Sequence, residues 1–243
     1  MLLIILPVKN EATRIKKTAL DLFRFCNDKY EHDFKILFID DGSTDNTIKN
    51  ILELENPLIK VLKNQFDRGK GSSLKSGFII SNLVFILEDD DVICFMDGDG
   101  QINPQDIKTL LNIMELNSAD VVIGNKRHTF SSVRYSLKRR IVSMVYNSLI
   151  RFLFGFNYQD TQCGIKIFKK YALDRIIENI TIKKFAFDLE LIVALREMSL
   201  RVADAPVTIK EQLNTGSVTL QSIHNTFIDT LSIWNRKRKG FYR

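Results

Sequence analysis

Cysteine and histidine are scarce in this 243-residue sequence, with three of each. The three cysteines, Cys26, Cys94 and Cys163, are scattered and lack the spacing of metal ligands, which indicates a reduced, cytosolic protein. The histidines show no mutual spacing that suggests a site, and no serine–histidine–acid arrangement can be recognised. The sequence therefore gives no sign of a zinc site built on cysteine or histidine.

Long apolar runs are also lacking. The longest, 78–87 and 141–156, are short or interrupted by Ser81, Asn82 and Arg151, whereas a membrane span needs about 20 apolar residues. The opening "MLLIILPVKN" has no basic residues before its apolar stretch and no cleavage site, so we expect no signal peptide. Linkers, low-complexity tracts and internal repeats are not visible either, which favours one domain.

The charge balance is basic, at +6 with a pI near 9.1. It indicates an anionic partner without choosing among nucleotide, nucleic acid and anionic lipid. The cations are clustered: Lys138, Arg139 and Arg140 are consecutive, and five of the last eight residues are basic. Because these clusters lack interleaved aromatics and any recognition motif, we expect no nucleic-acid partner.

The first 125 residues alternate short apolar runs with helical patterns. Strands are predicted at 2–6, 36–39, 59–62, 92–96 and 121–123, and helices at 12–27, 45–55, 72–81 and 104–117. The end of the third helix is ambiguous, because 78–87 is rich in β-branched and aromatic residues. Repeated strand–helix units predict an α/β fold, with a mainly parallel central sheet and helices on both faces.

Polar residues follow three of these strands. The first is followed by "PVKNE", the second by "DDGS" and the fourth by "DGDGQ". Single loops of this composition are common turns. However, ligands bind at the carboxyl ends of parallel strands, so three such loops predict a binding site at one edge of the sheet.

The loop "DGDGQ" places oxygen-bearing side chains at alternate positions, Asp97, Asp99 and Gln101. Two carboxylates and an amide form a hard-oxygen set that suits Mg²⁺ or Mn²⁺. Mg²⁺ usually completes its coordination with substrate phosphates and water. The loop therefore indicates a diphosphate-bearing substrate.

The loop "DRGKGSS" lacks the glycine spacing and the Ser or Thr after lysine that a P-loop requires. Arg68 and Lys70 are left as either phosphate partners or solvated charges.

The second half predicts a helix at 135–154, a loop "DTQCGIK", a short strand, and a helix around 187–198. A last helical pattern repeats apolar residues at three- and four-residue steps, namely Leu220, Ile223, Phe227, Leu231 and Trp234. With the basic tail behind it, this pattern is typical of a helix in a membrane interface, although ordinary core packing is an alternative and the two are compatible. We expect a domain at 1–216 and a helix with a basic tail at 217–243, in the same domain or at the interface.

Four motifs in order, "ILPVKNE", "FIDDGSTDNT", "RGKGSSLKSG" and "FMDGDGQINP", resemble family 2 glycosyltransferases of the GT-A fold. The later "DTQCGIKIF" and "FDLELI" resemble the polyprenyl-phosphate glycosyltransferases within that family, dolichyl-phosphate β-glucosyltransferases above all. The resemblance covers roughly 2–217. One departure is Val218, which stands where the family often has a lysine after Gly-Ser, so one phosphate contact is in doubt.

The resemblance implies roles for individual residues. Asp41, supported by Asp40, would bind the nucleotide base. Pro7, Asn10 and Glu11 would line the nucleotide pocket, and Asp97, Asp99 and Gln101 would hold Mg²⁺ or Mn²⁺. The remaining positions are Lys70 and Arg127 near the phosphates, and Asp160, Gln162 and Asp188 near the sugar and acceptor, with Asp99, Asp160 and Asp188 as the catalytic candidates.

The implied activity is metal-dependent, inverting transfer of a hexose, glucose from UDP-glucose above all, onto a polyprenyl or dolichyl phosphate. The protein would lie at the cytoplasmic membrane face, as a peripheral protein. Two alternatives stay open: a saccharide acceptor in glycan assembly, and an inactive module that recruits partners to membranes. The sequence gives no oligomeric state.

Overall fold

A computed structural model of the protein describes residues 1–30, 33–64, 69–131, 137–155, 162–184, 186–210 and 220–242. Side chains in the fifth and eighth helices are described from Met144 and Gln221 onward. The strands are β1 (Leu2–Val8), β2 (Phe34–Asp40), β3 (Ile59–Lys63), β4 (Val92–Met96), β5 (Val121–Asn125), β6 (Ile165–Lys169) and β7 (Val202–Pro206). The helices are α1 (Ile15–Tyr30), α2 (Thr47–Leu52), α3 (Lys70–Val84), α4 (Gln105–Leu116), α5 (Leu137–Phe154), α6 (Lys170–Ile177), α7 (Phe187–Glu197) and α8 (Leu220–Arg238).

The seven strands form one sheet in the order β3-β2-β1-β4-β6-β5-β7. β6 runs antiparallel to β4 and β5, and the other neighbouring pairs are parallel. The chain builds outward from β1 through β2 to β3 and then crosses to the other side of β1 with β4. This reversal opens a crevice between the carboxyl ends of β1 and β4, which is where α/β sheets bind ligands.

Both faces of the sheet are covered. In β1, Leu3 and Ile5 belong to one buried cluster, whereas Leu2, Ile4 and Leu6 belong to the cluster on the opposite face. Successive side chains of a strand point to opposite faces, so a strand that is apolar at every position is buried between two layers. The predicted mainly parallel sheet with helices on both faces is confirmed.

The nine predicted elements of the first 125 residues are all present, with bounds within three residues of those expected. α3 settles the ambiguous stretch, because it ends at Val84 and Phe85 is extended. The chain between Glu178 and Val202 is dominated by α7, in which nine consecutive residues are buried. Two of those nine, Asp188 and Glu190, are acids, and a buried acid needs partners.

α8 packs on the body mainly through residues outside the predicted apolar stripe, which leaves much of that stripe exposed, as a helix in a membrane interface requires. Thr230 and Ile233 are fully buried, while Ile223, Phe227 and Leu231 are 40%, 45% and 37% exposed. Of the predicted stripe, Trp234 packs partly against the core, and the side chain of Leu220 lies outside the described part. The boundary expected near residue 216 also lies outside it and stays a prediction.

Asp106, in the first turn of α4, supplies a test of stability against pH. Asp106 is 5% exposed, its carboxylate accepts the Thr208 N–H at 2.8 Å, and burial raises its pKa to about 6. A carboxyl group with a raised folded pKa costs stability as pH rises from its unfolded pKa towards its folded one. We measure the free energy of unfolding of Asp106→Asn and of wild type by urea titration at pH 4 and pH 7. The difference between variant and wild type is expected to shift by about 2 kcal/mol in favour of the variant as pH rises from 4 to 7.

The matched control is Asp89→Asn, because that side chain is 85% exposed. It removes the same charge from a solvated position, so it reports what the loss of one surface charge does to stability. A constant difference for Asp106→Asn would contradict the raised pKa.

Candidate active site

The loops that follow β1 and β2 form one wall of the crevice. Asn10 adopts a positive φ of 54°, its N–H donates to Ser43 Oγ at 2.9 Å, and its Oδ1 accepts the Thr44 N–H at 2.8 Å. The Glu11 N–H donates to Thr47 Oγ1 at 2.7 Å. Two segments more than 30 residues apart in sequence are therefore held together by their own polar groups.

The two aspartates after β2 are buried. Asp40 accepts the Ser43 N–H at 3.2 Å. Asp41 accepts the Gly69 N–H at 2.9 Å and the Ser73 hydroxyl at 2.8 Å, so it binds the start of α3, where negative charge is favoured. A carboxylate can accept several hydrogen bonds at once, so Asp41 is of the right chemical type to accept one from a ligand.

A chain of ion pairs runs across the centre of the crevice. Lys70 Nζ lies 2.8 Å from Asp97 Oδ1 and 3.3 Å from Asp188 Oδ2. Lys166 Nζ lies 2.7 Å from the other oxygen of Asp188 and donates to the Cys163 carbonyl at 2.6 Å. Four charged residues from α3, β6, α7 and the loop after β4 are thus joined in one line.

The pKa values in this chain follow from burial and charge. Burial of Asp188 would raise its pKa, but the ammonium groups of Lys166 and Lys70 outweigh it and hold the pKa below the ordinary value. Burial opposes the charge of Lys70 too, yet Asp188 and Asp97 raise its pKa well above the usual range. Lys70 is therefore protonated at neutral pH and Asp188 is ionised, which makes Asp188 a weak base.

Glycines let the backbone approach these groups closely. A Cβ on Gly164 would overlap the Asp97 carboxylate, and one on Gly98 would overlap Val8 and lie 2.8 Å from the Pro7 carbonyl. The Asp97 N–H also donates to the Gly164 carbonyl at 2.8 Å. The antiparallel strand β6 explains this contact, because it places the residues before Ile165 beside the end of β4.

Asp99 lies beside this line of ion pairs, and within the described residues no ammonium group is in hydrogen-bond contact with it. Burial and then the negative charge of Asp97 raise its pKa, against weaker opposition from Arg14 and Lys70. Its Oδ1 accepts the Gln101 N–H at 3.0 Å. Nearby, burial also raises the pKa of Glu11, although its carboxylate is paired with Arg14. Anionic charge is therefore in excess around Asp99.

The donor set fits a hard divalent cation. The negative charge of Asp97 contributes to the raised pKa of Asp99, and a cation bound between them would relieve that repulsion. Within the described ranges, no group of three or more His, Cys, Asp or Glu residues is arranged to hold a metal. Two protein carboxylates are nonetheless sufficient for Mg²⁺, which takes its other ligands from phosphates and water.

The remaining predicted residues are placed less centrally. Pro7 lies in β1 against Gly98, and the Gln101 carbonyl accepts the Lys210 N–H at 2.8 Å. Arg127 follows β5, where its N–H donates to Asn125 Oδ1, and Gln162 is exposed just before β6. Asp160 and Arg68 lie outside the described residues.

Sequence reasoning missed Lys166, Ser73 and Gly164. Lys166 is 2% exposed, and the only signal for it is a lone lysine within the apolar run "GIKIF". Ser73 is fully buried between Asp41 and Asn64, whose Nδ2 lies 3.1 Å from its hydroxyl.

Among the helices in the described ranges, none is long and apolar enough to span a bilayer.

Comparison with known proteins places these features in a family. Two dolichyl-phosphate beta-glucosyltransferases, from Dictyostelium discoideum and Saccharomyces cerevisiae, are 29% and 28% identical to the chain over 222 and 229 residues. Each alignment covers 86% of this chain and 66% of the relative, so the chain spans just under two thirds of the length of these relatives. A UDP-N-acetylglucosamine–dolichyl-phosphate N-acetylglucosaminyltransferase from Methanococcus voltae is 26% identical, over 85% of this chain and 84% of the relative.

Among solved structures, glucosyl-3-phosphoglycerate synthase from Mycobacterium tuberculosis, in complex with Mn²⁺, UDP and glucosyl-3-phosphoglycerate, matches with a TM-score of 0.71. The match covers 99% of this chain and 80% of that chain, at 15% identity. It shows that the chain has the GT-A fold. The model of the family described as "Glycosyl transferase family 2" matches residues 3–177, well over half of the chain. The chain therefore belongs to glycosyl transferase family 2.

Proposed function

We propose that the chain is a metal-dependent, inverting glycosyltransferase that moves a hexose from a nucleotide sugar onto a polyprenyl phosphate at a membrane surface. UDP-glucose is the first candidate donor, because two relatives are named dolichyl-phosphate beta-glucosyltransferases. A neighbour in fold was solved with Mn²⁺ and UDP-glucose. UDP-N-acetylglucosamine is the second candidate, from the name of the Methanococcus relative.

The observation that carries the proposal is the position of Asp97 and Asp99. They lie at the carboxyl end of β4, beside the crevice between β1 and β4 where the strand order reverses. The ammonium group of Lys70 is next to them. Carboxylates for a cation and a cation for phosphates are the two components needed to hold a nucleoside diphosphate. An inactive binding module would have no need of this costly concentration of charge.

In this proposal, Asp41 and Asp40 accept hydrogen bonds from the nucleotide base. Asn10 and Glu11 build the pocket wall together with Pro7, since both are fixed to the loop after β2 by the bonds to Ser43, Thr44 and Thr47. Asp41 also orders the start of α3. A base that binds Asp41 would therefore bind to a carboxylate whose position is already fixed.

Asp97 and Asp99, with Gln101, are the residues that would hold Mg²⁺ or Mn²⁺ on the donor diphosphate. When bound, such a cation acts as a Lewis acid that stabilises the negative charge of the leaving nucleoside diphosphate. Lys70 is protonated and adjoins Asp97, so it can donate to the same phosphates. Arg127, in the loop after β5, is the second cation assigned to them.

The acceptor oxygen would form a bond to the anomeric carbon while the bond from that carbon to the diphosphate oxygen breaks, and the diphosphate leaves with the electron pair. A phosphate monoester has a second pKa near 6, so at neutral pH its oxygen attacks without losing a proton. This fits Asp188, whose lowered pKa makes it a poor general base. We assign Asp188 the role of holding Lys70 in place. Gln162 and Asp160 are assigned to contacts with the sugar and the acceptor.

The proposal is tested by measuring nucleoside-diphosphate release by the purified protein with Mn²⁺ or Mg²⁺. The donors are UDP-glucose, UDP-N-acetylglucosamine, UDP-galactose and GDP-mannose, each with and without polyprenyl phosphate in detergent. We expect release that requires the metal and the lipid phosphate, with one of the two named UDP-sugars preferred.

Each of the other outcomes would indicate a different function. Release that does not depend on lipid phosphate but rises with added oligosaccharides would show a saccharide acceptor. No release, together with no metal-dependent binding of any nucleotide, would favour the inactive module.

We also propose that α8 touches the membrane, at its cytoplasmic face. The helix exposes Phe227 and Ile228, which are 45% and 50% accessible, and the tail exposes Arg238 and Lys239. Apolar side chains beside cations suit the interface of an anionic bilayer. Fewer cations of the basic tail face the membrane than the sequence suggests, because Arg236 and Lys237 form ion pairs with acids of α7.

We expect Phe227→Ser with Ile228→Ser to lower partition of the protein onto anionic phospholipid vesicles about tenfold or more, in a flotation assay. The reason is that each side chain contributes about 1.5–3 kcal/mol when fully removed from water, and an interface removes it partly. Raised salt is expected to weaken binding further, because cations near anionic lipid contribute about 1 kcal/mol each.

The matched control is Leu83→Ser with Ile86→Ser, at and after the end of α3, where the two side chains are 83% and 92% exposed. This pair is expected to leave vesicle binding unchanged. Equal losses from both pairs would contradict a membrane contact specific to α8.

A further inference from the structure

Glu190, in the middle of α7, is fully buried and saturated with hydrogen bonds. Its Oε1 accepts Arg236 Nη2 at 2.8 Å and the Tyr242 hydroxyl at 2.7 Å, both from the C-terminal segment. Its Oε2 accepts the N–H groups of Thr181 and Ile182 at 2.8 and 2.7 Å, and the Thr181 hydroxyl donates to Oε1 at 3.0 Å. One carboxylate thus joins three separate segments of the chain.

The C-terminal residues at this junction are also bonded to each other. Arg236 Nε donates to the Tyr242 hydroxyl at 3.0 Å, while that hydroxyl donates to Glu190. Tyr242 is itself fully buried and belongs to the hydrophobic core. Removing one partner from a buried ion pair is strongly destabilising, because the remaining charge is left without compensation. The end of the chain is therefore bound to α7 by directional contacts as well as by apolar packing.

The segment held by Glu190 is in turn bound to the start of α3. The Lys183 carbonyl accepts the Ser72 N–H at 3.2 Å, and a Cβ on Gly69 would lie 2.6 Å from that carbonyl. Gly69 has a φ of 87°, a conformation that favours glycine, so this close approach depends on the absence of a side chain. Lys75 Nζ adds a bond to the Ile180 carbonyl at 2.7 Å. The segment 180–183 thus lies along the first two turns of α3.

The start of α3 is also a wall of the candidate active site. The Gly69 N–H donates to Asp41, and Lys70 bridges Asp97 and Asp188. Asp188 lies on α7, two residues before Glu190. The partners of Lys70 are consequently supported from two sides, by α7 directly and by the segment 180–183.

We propose that Glu190, Arg236 and Tyr242 are positioning residues that fix the start of α3, so that Lys70 stands between Asp97 and Asp188. Within the described ranges, none of the three forms a hydrogen bond or ion pair with Lys70, Asp97 or Asp188, so their effect passes through α7 and the segment 180–183. The consequence for donor binding rests on the proposed function, whereas the geometric claim does not. The C-terminal segment is thereby part of the active-site framework.

The test compares Arg236→Lys and Tyr242→Phe with the matched control Arg238→Lys. Arg238 is exposed on the same helix, with its guanidinium 4.9 Å from the centre of the Trp234 ring. The first readout is amide hydrogen exchange at Thr181 and Ile182 and, further away, at Gly69 and Ser72. We expect about tenfold faster exchange at both places in the two test variants, since each loses a hydrogen bond to a charged group.

The second readout is the Kd for UDP with Mn²⁺, by calorimetry, beside kcat and KM for the donor. We expect the Kd and the KM to rise about tenfold in Tyr242→Phe and Arg236→Lys, with a smaller fall in kcat, because supporting residues change affinity by about 10- to 100-fold. The control should match wild type in amide hydrogen exchange and in the Kd for UDP with Mn²⁺, neither of which involves lipid.

Two results would overturn the inference. One is faster exchange at Thr181 and Ile182 with no change at Gly69 and Ser72, because the cluster would then stabilise only its own segment. The other is an equal effect from Arg238→Lys. If the wild-type protein binds no nucleotide, the proposed function fails, and exchange at Gly69 and Ser72 still decides the positioning role.

Discussion

Asp99→Asn is expected to lower metal-dependent nucleoside-diphosphate release by about 10²- to 10³-fold. Asparagine keeps the shape of the side chain and one oxygen but removes the negative charge that would hold the cation. Preorganised charge of this kind contributes roughly that much to stabilising a transition state. The measurement is kcat/KM for the preferred donor at saturating polyprenyl phosphate, over a range of Mn²⁺ concentrations.

The stability of Asp99→Asn provides a second measurement. Burial and the neighbouring charge of Asp97 raise the pKa of Asp99, so the ionised carboxylate costs stability in the absence of a cation. We therefore expect Asp99→Asn to unfold no more easily than wild type at pH 7, although its activity is lost.

The matched control is Asp106→Asn, which removes another buried carboxylate, seven residues further on in the first turn of α4, where it accepts the Thr208 N–H. It is expected to retain wild-type kcat/KM. Activity of Asp99→Asn within about threefold of wild type would refute the assignment of Asp99 to the metal site, since such a change is below 1 kcal/mol.

Lys166→Met is expected to lower the free energy of unfolding by about 3–5 kcal/mol. Lys166 is 2% exposed and pairs with Asp188, which is also buried, and breaking one side of a buried pair leaves an uncompensated charge. The Cys163 carbonyl loses its donor at the same time. Urea unfolding at pH 7 measures the effect, with Lys169→Met, at the partly exposed end of the same strand, as the control.

The pH dependence of the stability of Lys166→Met provides a second test. Asp188 has a lowered pKa, so its contribution to stability is present above its unfolded pKa near 4 and is lost as pH falls through its folded value. Without Lys166 the folded pKa rises, so the acid loss of stability should begin at higher pH. A loss of less than about 1 kcal/mol at pH 7, or no shift of the acid limb, would contradict a buried pair at this position.

The loops at the strand ends were predictable because their signal is local. An apolar strand that stops at "DGDGQ" or "DDGS" reports both the burial before it and the polarity after it, and parallel pairing brings such ends together. The position of Asp97, Asp99 and Asp41 at the crevice follows from this rule.

The ion-pair chain was not predictable in the same way. Lys70 and Asp188 are 118 positions apart, and they meet because α3 and α7 pack side by side. The antiparallel strand β6 brings Lys166 beneath Asp188, and nothing in "GIKIF" separates a buried lysine from an exposed one. The residues through which α8 packs were not predictable either, because Thr230, which is fully buried with its hydroxyl 3.1 Å from that of Tyr146, is polar and lies outside the apolar stripe.

The line of ion pairs from Asp97 to Lys166 determines the net charge of the crevice. Its two carboxylates and two ammonium groups cancel, so Asp99 adds the one uncompensated negative charge among these five residues. A single negative charge does not balance a dication, and the excess positive charge is suited to an anionic diphosphate. The crevice should therefore take up cation and nucleotide as a pair, each weakly alone and strongly together.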